Sequence, residues 1–562
     1  MKSKPQTPSA NGPEPPVTKV RIATVSLSGA GMLPIVGLGG SAGGIRALQE
    51  FFAAMPVDSG MAFVVILHLS PEHESTLAEM FQRSTAMPVV VAKDGATVQA
   101  NSVYVIPPGK FLASANGHLR LSEAQEPRGK RVAVDFFFRT LAETHGEQSV
   151  AVVFSGAGGD GALGLKRVKE LGGLTIAQDP DEAEHSDMPR AAIATGVVDW
   201  VLGVKEMPAR LLAYMQHRGD LKLPAEDGPH PAQPAELSPD EHEAALRDVL
   251  AFLRTRTGRD FSYYKRATIL RRIARRMQVN GLADLPGYLL YLRTHAGEAG
   301  ELLQDLLISV TNFFRDPDAF TSLERIVPEL FAAKGPGDSV RVWVAGCATG
   351  EEAYSIAILL CEHARTLEVP PQIQIFATDL DEDVIRDARD GIYPETIATD
   401  VSEERLRRFF LHEHGGYRVR REVRELVHFA PHDLLKDSPF SKLDLVSCRN
   451  LLIYLNREAQ QRAFDIFHFA LRPGGRLFLG TAETVEEGSP LFAVIDKKQR
   501  LFLQRPGPRQ ILAVPSRPGT QARALELQQR WCERPTVPGR VTMASVRSGP
   551  DRKSTRLNSR HQ

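Results

Sequence analysis

GLGGSAGG, residues 37–44, follows the apolar run Leu33-Pro34-Ile35-Val36 and precedes the helix-like IRALQEFFAA, so it occupies a strand-to-helix turn. Two chemistries overlap in it. Gly37-x-Gly39-x-x-Ala42 is a degenerate dinucleotide fingerprint, whose glycines let the backbone approach a pyrophosphate at a helix N-terminus. Gly39-x-Ser41-x-Gly43 is a nucleophile-elbow pattern, which exposes a serine hydroxyl on a tight turn. A turn that merely starts a helix is the third reading.

Around this turn, strand-like runs (IVGLG, FVVILHL, VYVIP, VAVVFSG, LTIAQD, VVDWVL) alternate with helix-like segments (IRALQEFFAAM, TLAEMFQRS, VDFFFRTLAETH, ALGLKRVKEL). That alternation predicts a doubly wound α/β domain with a mainly parallel sheet over 32–217. Residues 1–31 read as a disordered tail, and 218–240, with five prolines and mixed charge, as a linker. Helical periodicity then marks a small helical domain over 241–317, and a second alternating region, 318–504, an α/β domain of Rossmann-like kind. Order fades over 505–562, where QARALELQQRW alone could form an interaction helix.

The 562 residues carry 68 acidic and 68 basic side chains, so no global charge argues for nucleic acid or a membrane surface. Cys347, Cys361, Cys448 and Cys532 lack metal-ligand spacing, which fits free thiols in a reducing compartment. With no apolar run near the roughly 18 residues that span a bilayer, a cytoplasmic protein without membrane insertion is expected. No metal site is expected, and His412-x-His414 in a Gly-rich loop reads as a solvated turn.

In a parallel sheet, chemistry gathers at the carboxyl ends of strands. Ser41 follows the first strand, His68 ends FVVILHL, and Asp160 lies just beyond VAVVFSG. Within hydrogen-bond reach they form a triad in which His68 takes the Ser41 proton and Asp160 orients the imidazole. A dinucleotide oxidoreductase competes, because Gly156-x-Gly158-x-x-Gly161 also follows a strand and precedes Asp179. Singly, Ser41 reads as a helix N-cap, His68 as a core histidine and Asp160 as a turn residue. Over about 33–203 the motifs VGLGGSAGG, LHLSPEHESTLAEMFQRSTAMPV, VYVIPPG, VVFSGAGGDGALGL and AQDPDEAEHSDMPRAAIATGVVDWVL resemble the catalytic domain of the chemotaxis receptor methylesterase, CheB. The resemblance implies nucleophile, base and acid at Ser41, His68 and Asp160. It also implies hydrolysis of glutamate methyl esters on chemoreceptors, with deamidation of receptor glutamines in many such enzymes. Ala42 and Ala157 depart from the family's hydroxyl residue and methionine, which motivates a rival reading of this unit as a weakly catalytic docking or scaffold module. The receiver domain that usually precedes it is not expected in this chain.

The second region opens with VRVWVAGCATGEEAYSIAILL, a strand, a Gly-containing turn and a helix, and QIQIFATDLD brings Asp379 to the next strand end. Glycines that admit a ligand and an acid that accepts ribose hydroxyls describe a nucleoside site. Glu351 and Glu352, with no phosphate-binding Lys-Ser/Thr, suit an uncharged or cationic tail better than a pyrophosphate; S-adenosylmethionine has such a tail, although another nucleoside ligand stays open. SVTNFFRD, AGCATGEEAYSIA, ATDLDEDVIRDARDGIY, DLVSCRNLLIYL and LRPGGRLFLGTAE resemble the chemotaxis receptor methyltransferase, CheR, over about 241–503. The resemblance implies S-adenosyl-L-methionine bound by Ser309, Thr311, Arg315, Glu352, Asp379, Asp433, Leu434, Cys448 and Arg449. Catalytic positions follow at Arg449 and Tyr454, the latter near the transferred methyl. Ser309 and Asp433 stand where the enteric enzyme has asparagine.

Lys265, Arg266, Arg271, Arg272, Arg275 and Arg276 form a basic stripe at helical spacing, for which an acidic chemoreceptor helix is the expected partner and nucleic acid is not. The resemblance places loop 411–417 where some family members dock a receptor's C-terminal pentapeptide, and its shortness here implies recognition without that tether. Together the two halves predict a bifunctional enzyme, protein-glutamate O-methyltransferase and protein-glutamate methylesterase, recruited to receptor arrays.

Overall fold

The computed structural model describes residues 32–507 apart from 42, 69–75, 124–131, 218–220, 226–240, 333, 414–415 and 487. The two tails, Ala42, His414, Cys532, the QARALELQQRW segment and most of the stretch read as a linker lie outside the described residues.

The first half runs β1 (Ile35–Gly40), α1 (Gly44–Ala54), β2 (Ala62–Leu67), α2 (Leu77–Gln82), β3 (Val89–Val91), β4 (Ser102–Val105), β5 (Lys110–Ala115), β6 (His118–Glu123), α3 (Ala133–His145), β7 (Ser149–Val153), α4 (Ala162–Glu170), β8 (Leu174–Gln178), α5 (Asp187–Ala194), β9 (Trp200–Leu202) and α6 (Met207–His217). Seven strands form one parallel sheet in the order β3-β4-β2-β1-β7-β8-β9. The chain reverses direction across the sheet at β1 and β7, the switch point where α/β sheets place their sites. Both faces of the central strands are covered, so β1, β2 and β7 are buried throughout. The glycines of β1 have a packing cause. A Cβ on Gly39 would lie 2.3 Å from Val134 Cγ1 and one on Gly37 2.8 Å from Phe138 Cε1, so α3 lies flush on the sheet only over glycine. Outside the sheet, β5 and β6 form a hairpin turned by Asn116 and Gly117, both at positive φ.

The helical segment comprises α7 (Glu241–Thr257), α8 (Arg266–Val279), α9 (Leu285–Thr294) and α10 (Glu298–Leu307). It leads into α11 (Pro317–Phe331), β10 (Ser339–Ala345), α12 (Glu351–Ala364), β11 (Gln372–Asp379), α13 (Glu382–Asp390), β12 (Ile392–Pro394), α14 (Glu403–Phe409), β13 (Phe410–Glu413), β14 (Gly416–Val419), α15 (Arg421–Arg424), β15 (Val427–Pro431), β16 (Leu443–Cys448), α16 (Arg457–Ala470), β17 (Leu471–Leu479), β18 (Phe492–Asp496) and β19 (Leu501–Gln504). The second sheet has the order β15-β11-β10-β16-β17-β19-β18, parallel as far as β17 and antiparallel at β19 and β18. Its switch point lies between β10 and β16.

The basic stripe is not the solvated face that its charge predicts. Arg266 is buried against Glu243, and Arg276 is buried against Glu298, 2.6 Å away. Arg275 crosses to the first half: it bonds Asp199 at the start of β9, the Gly173 carbonyl (3.0 Å) and, on α10, Asp305 (2.7 Å). Lys169 at the end of α4 bridges the same carboxylates at 2.7 and 2.8 Å. Burial pushes the Asp199 carboxyl up, but Arg275 and Lys169 outweigh it and hold it below the usual carboxylate range. Acidic partners far away in sequence therefore convert three of the six, Arg266, Arg275 and Arg276, into internal clamps. Arg139 of α3 adds a two-pronged bond to Asp400 (2.9 and 3.3 Å). Within the stretch read as a linker, Leu221 and Leu223 are buried, and the Lys222 backbone pairs with the Asp284 segment, its amide donating to the Ala283 carbonyl (2.8 Å).

Candidate functional site

Ser41, His68 and Asp160 stand at the carboxyl ends of β1, β2 and β7. The Ser41 amide donates to the Ser155 carbonyl (3.1 Å), and Gly156 packs so closely on Ser41 that a Cβ there would lie 2.9 Å from Ser41 Cβ. Gly43 follows at φ 76°, a left-handed conformation that suits glycine and starts α1. His68 Nε2 lies 2.7 Å from Asp160 Oδ2. The acid is itself held by the amides of Val134 (2.9 Å) and Asp135 (2.8 Å), the first donors of α3, which have no partner within their own helix. The other ring nitrogen, Nδ1, is buried and without a partner among the described residues. No hydrogen bond joins Ser41 Oγ to His68 among the described residues; contacts of this kind often tighten only around substrate. Beside the acid, burial and then the Asp160 charge push the Asp135 carboxyl up to about 8.

A second site opens at the switch point of the other sheet. One pocket is lined by Ser309, Thr311, Arg315, Gly346, Ala348, Glu352, Asp379, Asp433, Leu434, Arg449 and Tyr454. Gly346 and Gly350 adopt φ of 75° and 93° in the β10–α12 turn, which brings the backbone to the pocket floor. Asp379 ends β11 and accepts the amides of Ala348 (2.8 Å) and Asp381 (3.1 Å); burial pushes its carboxyl up while those amides pull it down. Glu352 accepts the Ser447 hydroxyl at 2.6 Å. Arg449 donates to Asp316 (2.7 Å) and to the Arg315 carbonyl (3.0 Å), between the rings of Phe320 and Phe478. Its fork is therefore committed to the wall of the pocket. Burial pushes the Tyr454 hydroxyl up.

The sequence matches the family model for CheB methylesterase over residues 36–211. It matches the all-alpha domain of CheR methyltransferase over 244–307 and the S-adenosylmethionine-binding domain of that family over 309–501. The chain belongs to both the CheB and the CheR families. The Escherichia coli chemotaxis protein methyltransferase is 33% identical over 252 residues, which are 43% of this chain and 84% of that protein. Chemotaxis protein methyltransferase 2 of Vibrio cholerae is 32% identical over 245 residues, 42% of this chain and 85% of its own. A 104.1 kDa protein of Rhodobacter capsulatus is 39% identical over 447 residues, 77% of this chain; the chain spans under half of that relative, 46%. Among solved structures, the catalytic domain of Thermotoga maritima CheB methylesterase is 30% identical, covers 32% of this chain and 97% of that one, and has a TM-score of 0.31.

The methyltransferase domain takes S-adenosylmethionine as its cofactor. Its pocket fits the group: Glu352, Asp379 and Asp433 supply acceptors for an ammonium and for ribose hydroxyls, and Leu434 offers an apolar wall. Of the residues expected at this site, Cys448 alone is not brought to the pocket. Ser447 points at Glu352, so the alternation along β16 turns the Cys448 thiol to the other face of the sheet, where it is buried. Asp260, Tyr263 and Tyr264 also line the pocket and were not expected. They belong to DFSYYK between α7 and α8, which ties down the Tyr454 segment through Lys265 N–H to the Tyr454 carbonyl and Asn456 N–H to the Tyr263 carbonyl, both 2.8 Å. The paired tyrosines just before the basic helix were the available signal. In the methylesterase domain, Gly37, Gly39 and Gly161 of the two suggested pyrophosphate loops serve the packing of α3, whereas Gly156 packs against Met188 and Ser41. Among the described residues, no group of His, Cys, Asp or Glu is placed to hold a metal, and no helix is long and apolar enough to cross a membrane.

Proposed function

We propose that this chain sets the methylation state of chemoreceptor glutamates from both directions, with a methylesterase unit over 32–217 and a methyltransferase over 241–504. The observation that carries the reading is the pairing of two strand-end sites in one chain: His68 bonded to Asp160 beside Ser41, and Glu352, Asp379 and Tyr454 around one pocket.

In the methylesterase, Ser41 Oγ attacks the ester carbonyl while His68 takes its proton, and the same proton leaves with methanol. Water then attacks the acyl-enzyme and restores the glutamate. Asp160, held by two helix amides, keeps the imidazole oriented and stabilises its cation. The same route on a glutamine amide releases ammonia and gives deamidation.

S-adenosylmethionine supplies an electrophilic methyl next to a positive sulfur. A receptor glutamate is already an anion at neutral pH, so the protein has little proton transfer to perform. Its residues hold the carboxylate in line beside Tyr454 and exclude water. Arg449 acts by fixing Glu352 and the Arg315 backbone rather than by touching substrate.

Incubating the intact chain with tritiated S-adenosylmethionine and receptor-containing membranes tests the reading. Base-labile label on the receptor is expected. No label, with the cofactor bound, contradicts it.

A further inference from the structure

A second cavity, of about 370 Å³, lies where the two halves meet, between α4 of the methylesterase domain and α8 of the methyltransferase. It adjoins the cofactor pocket and shares Arg315, Asn450 and Tyr454 with it. Two of its guanidiniums, Arg271 and Arg272, have no carboxylate partner among the described residues. Arg272 donates to the carbonyls of Glu170 (2.6 Å) and Lys169 (3.3 Å), and Arg271 only to Ala267 of its own helix (3.3 Å). On the facing wall, Glu170 is gripped by Arg167 (2.6 Å) and by Arg315 of the cofactor pocket (2.9 Å). The methylesterase helix that starts beside Asp160 thus ends by positioning a residue of the methyltransferase site.

We propose that this cleft admits an acidic, glutamate-bearing segment of the receptor to Tyr454, so that the methylesterase domain forms one wall of the methyltransferase's substrate site. The inference rests on the function proposed above. Uncompensated arginines at the mouth attract carboxylates, and the cleft ends where the methyl is transferred. It also reassigns the basic stripe: Arg275 and Arg276 hold the molecule together, Arg272 is tied to the carbonyls that end α4 while lining the cleft, and Arg271 is left to face the substrate.

The test uses the intact chain with Arg167→Gln on the methylesterase wall and Arg271→Gln on the opposite wall. Receptor membranes and tritiated S-adenosylmethionine are the substrates, calorimetry gives cofactor affinity, and a thermal melt checks folding. Each variant is expected to raise KM for receptor about three- to tenfold with kcat within about twofold; cofactor affinity stays unchanged in Arg271→Gln, whereas Arg167→Gln also loosens Glu170 beside Arg315, so its KM is read at saturating cofactor, and Arg167→Lys restores KM. An unchanged KM in Arg167→Gln overturns the shared wall even if Arg271→Gln is impaired. A chain that binds the cofactor yet never labels the receptor overturns the proposed function instead, and this inference with it.

Discussion

Arg275→Met tests whether the two catalytic halves are one structural unit. Arg275 is buried and bonds Asp199, Asp305 and the Gly173 carbonyl, so it joins α8 to the methylesterase domain as well as to α10. Methionine fills most of the volume but leaves two buried carboxylates short of a cation. Removing one partner of a buried ion pair costs about 3–5 kcal/mol. Lys169 still reaches both carboxylates, which places the expected loss near the lower end, about 3 kcal/mol. At roughly 2–4 °C per kcal/mol, the first melting transition should fall by about 6–12 °C, and calorimetry should resolve two transitions in place of one. The effect has a pH signature. Asp199 and Asp305 are held below the usual carboxylate range in the folded chain, so their contribution is present above an unfolded pKa of about 3.9 and is lost as pH falls through the depressed folded values. The gap between variant and parent should be full at pH 7 and should narrow below about pH 4. A melt within 1 °C of the parent, with one transition, refutes this account of the clamp.

Asp160→Asn should lower methyl-ester hydrolysis roughly a thousandfold to ten-thousandfold, because the imidazole loses its oriented anionic partner, while methyl transfer by the same preparation is retained; equal hydrolysis removes Asp160 from the mechanism. Asp379→Ala should weaken S-adenosylmethionine binding about 10- to 100-fold in calorimetry, from charge-assisted hydrogen bonds worth roughly 1.5–3 kcal/mol; parental affinity rejects its placement at the cofactor. Asp135, pushed up to about 8 by burial and by Asp160, keeps its proton in the folded chain where the unfolded chain has already ionised. Urea-melt stability should therefore decline from about pH 4 to pH 8 through this group, and Asp135→Asn should remove that part of the slope; parallel pH profiles contradict it.

Much of the fold was legible because its signals are local. Apolar runs ending in glycine, each followed by a helical period, mark β1–α1, β7–α4 and β10–α12 without reference to anything distant. The β5–β6 hairpin was not read, although Asn116-Gly117 between two alternating runs is a local turn signal. The triad residues were legible as strand ends, but not the means that hold Asp160, since α3 begins some 25 residues upstream. The role of the basic stripe was illegible for a similar reason. The spacing of Arg266, Arg275 and Arg276 is that of an exposed face, and only Glu243, Asp199, Asp305 and Glu298, brought in by the fold, show that it is buried. Gly37 and Gly39 misled in the opposite sense: their motif suggests a ligand, and their cause is the close approach of Val134 and Phe138.

The central claim is that one chain both adds and removes receptor methyl groups, and a pulse–chase tests it most directly. Receptor membranes are labelled by the intact chain with tritiated S-adenosylmethionine, chased with unlabelled cofactor, and followed for volatile methanol. The account predicts label gained and then released by the parent, and label gained but retained by Ser41→Ala. Equal release from Ser41→Ala, or label that never leaves the receptor with the parent chain, would contradict it.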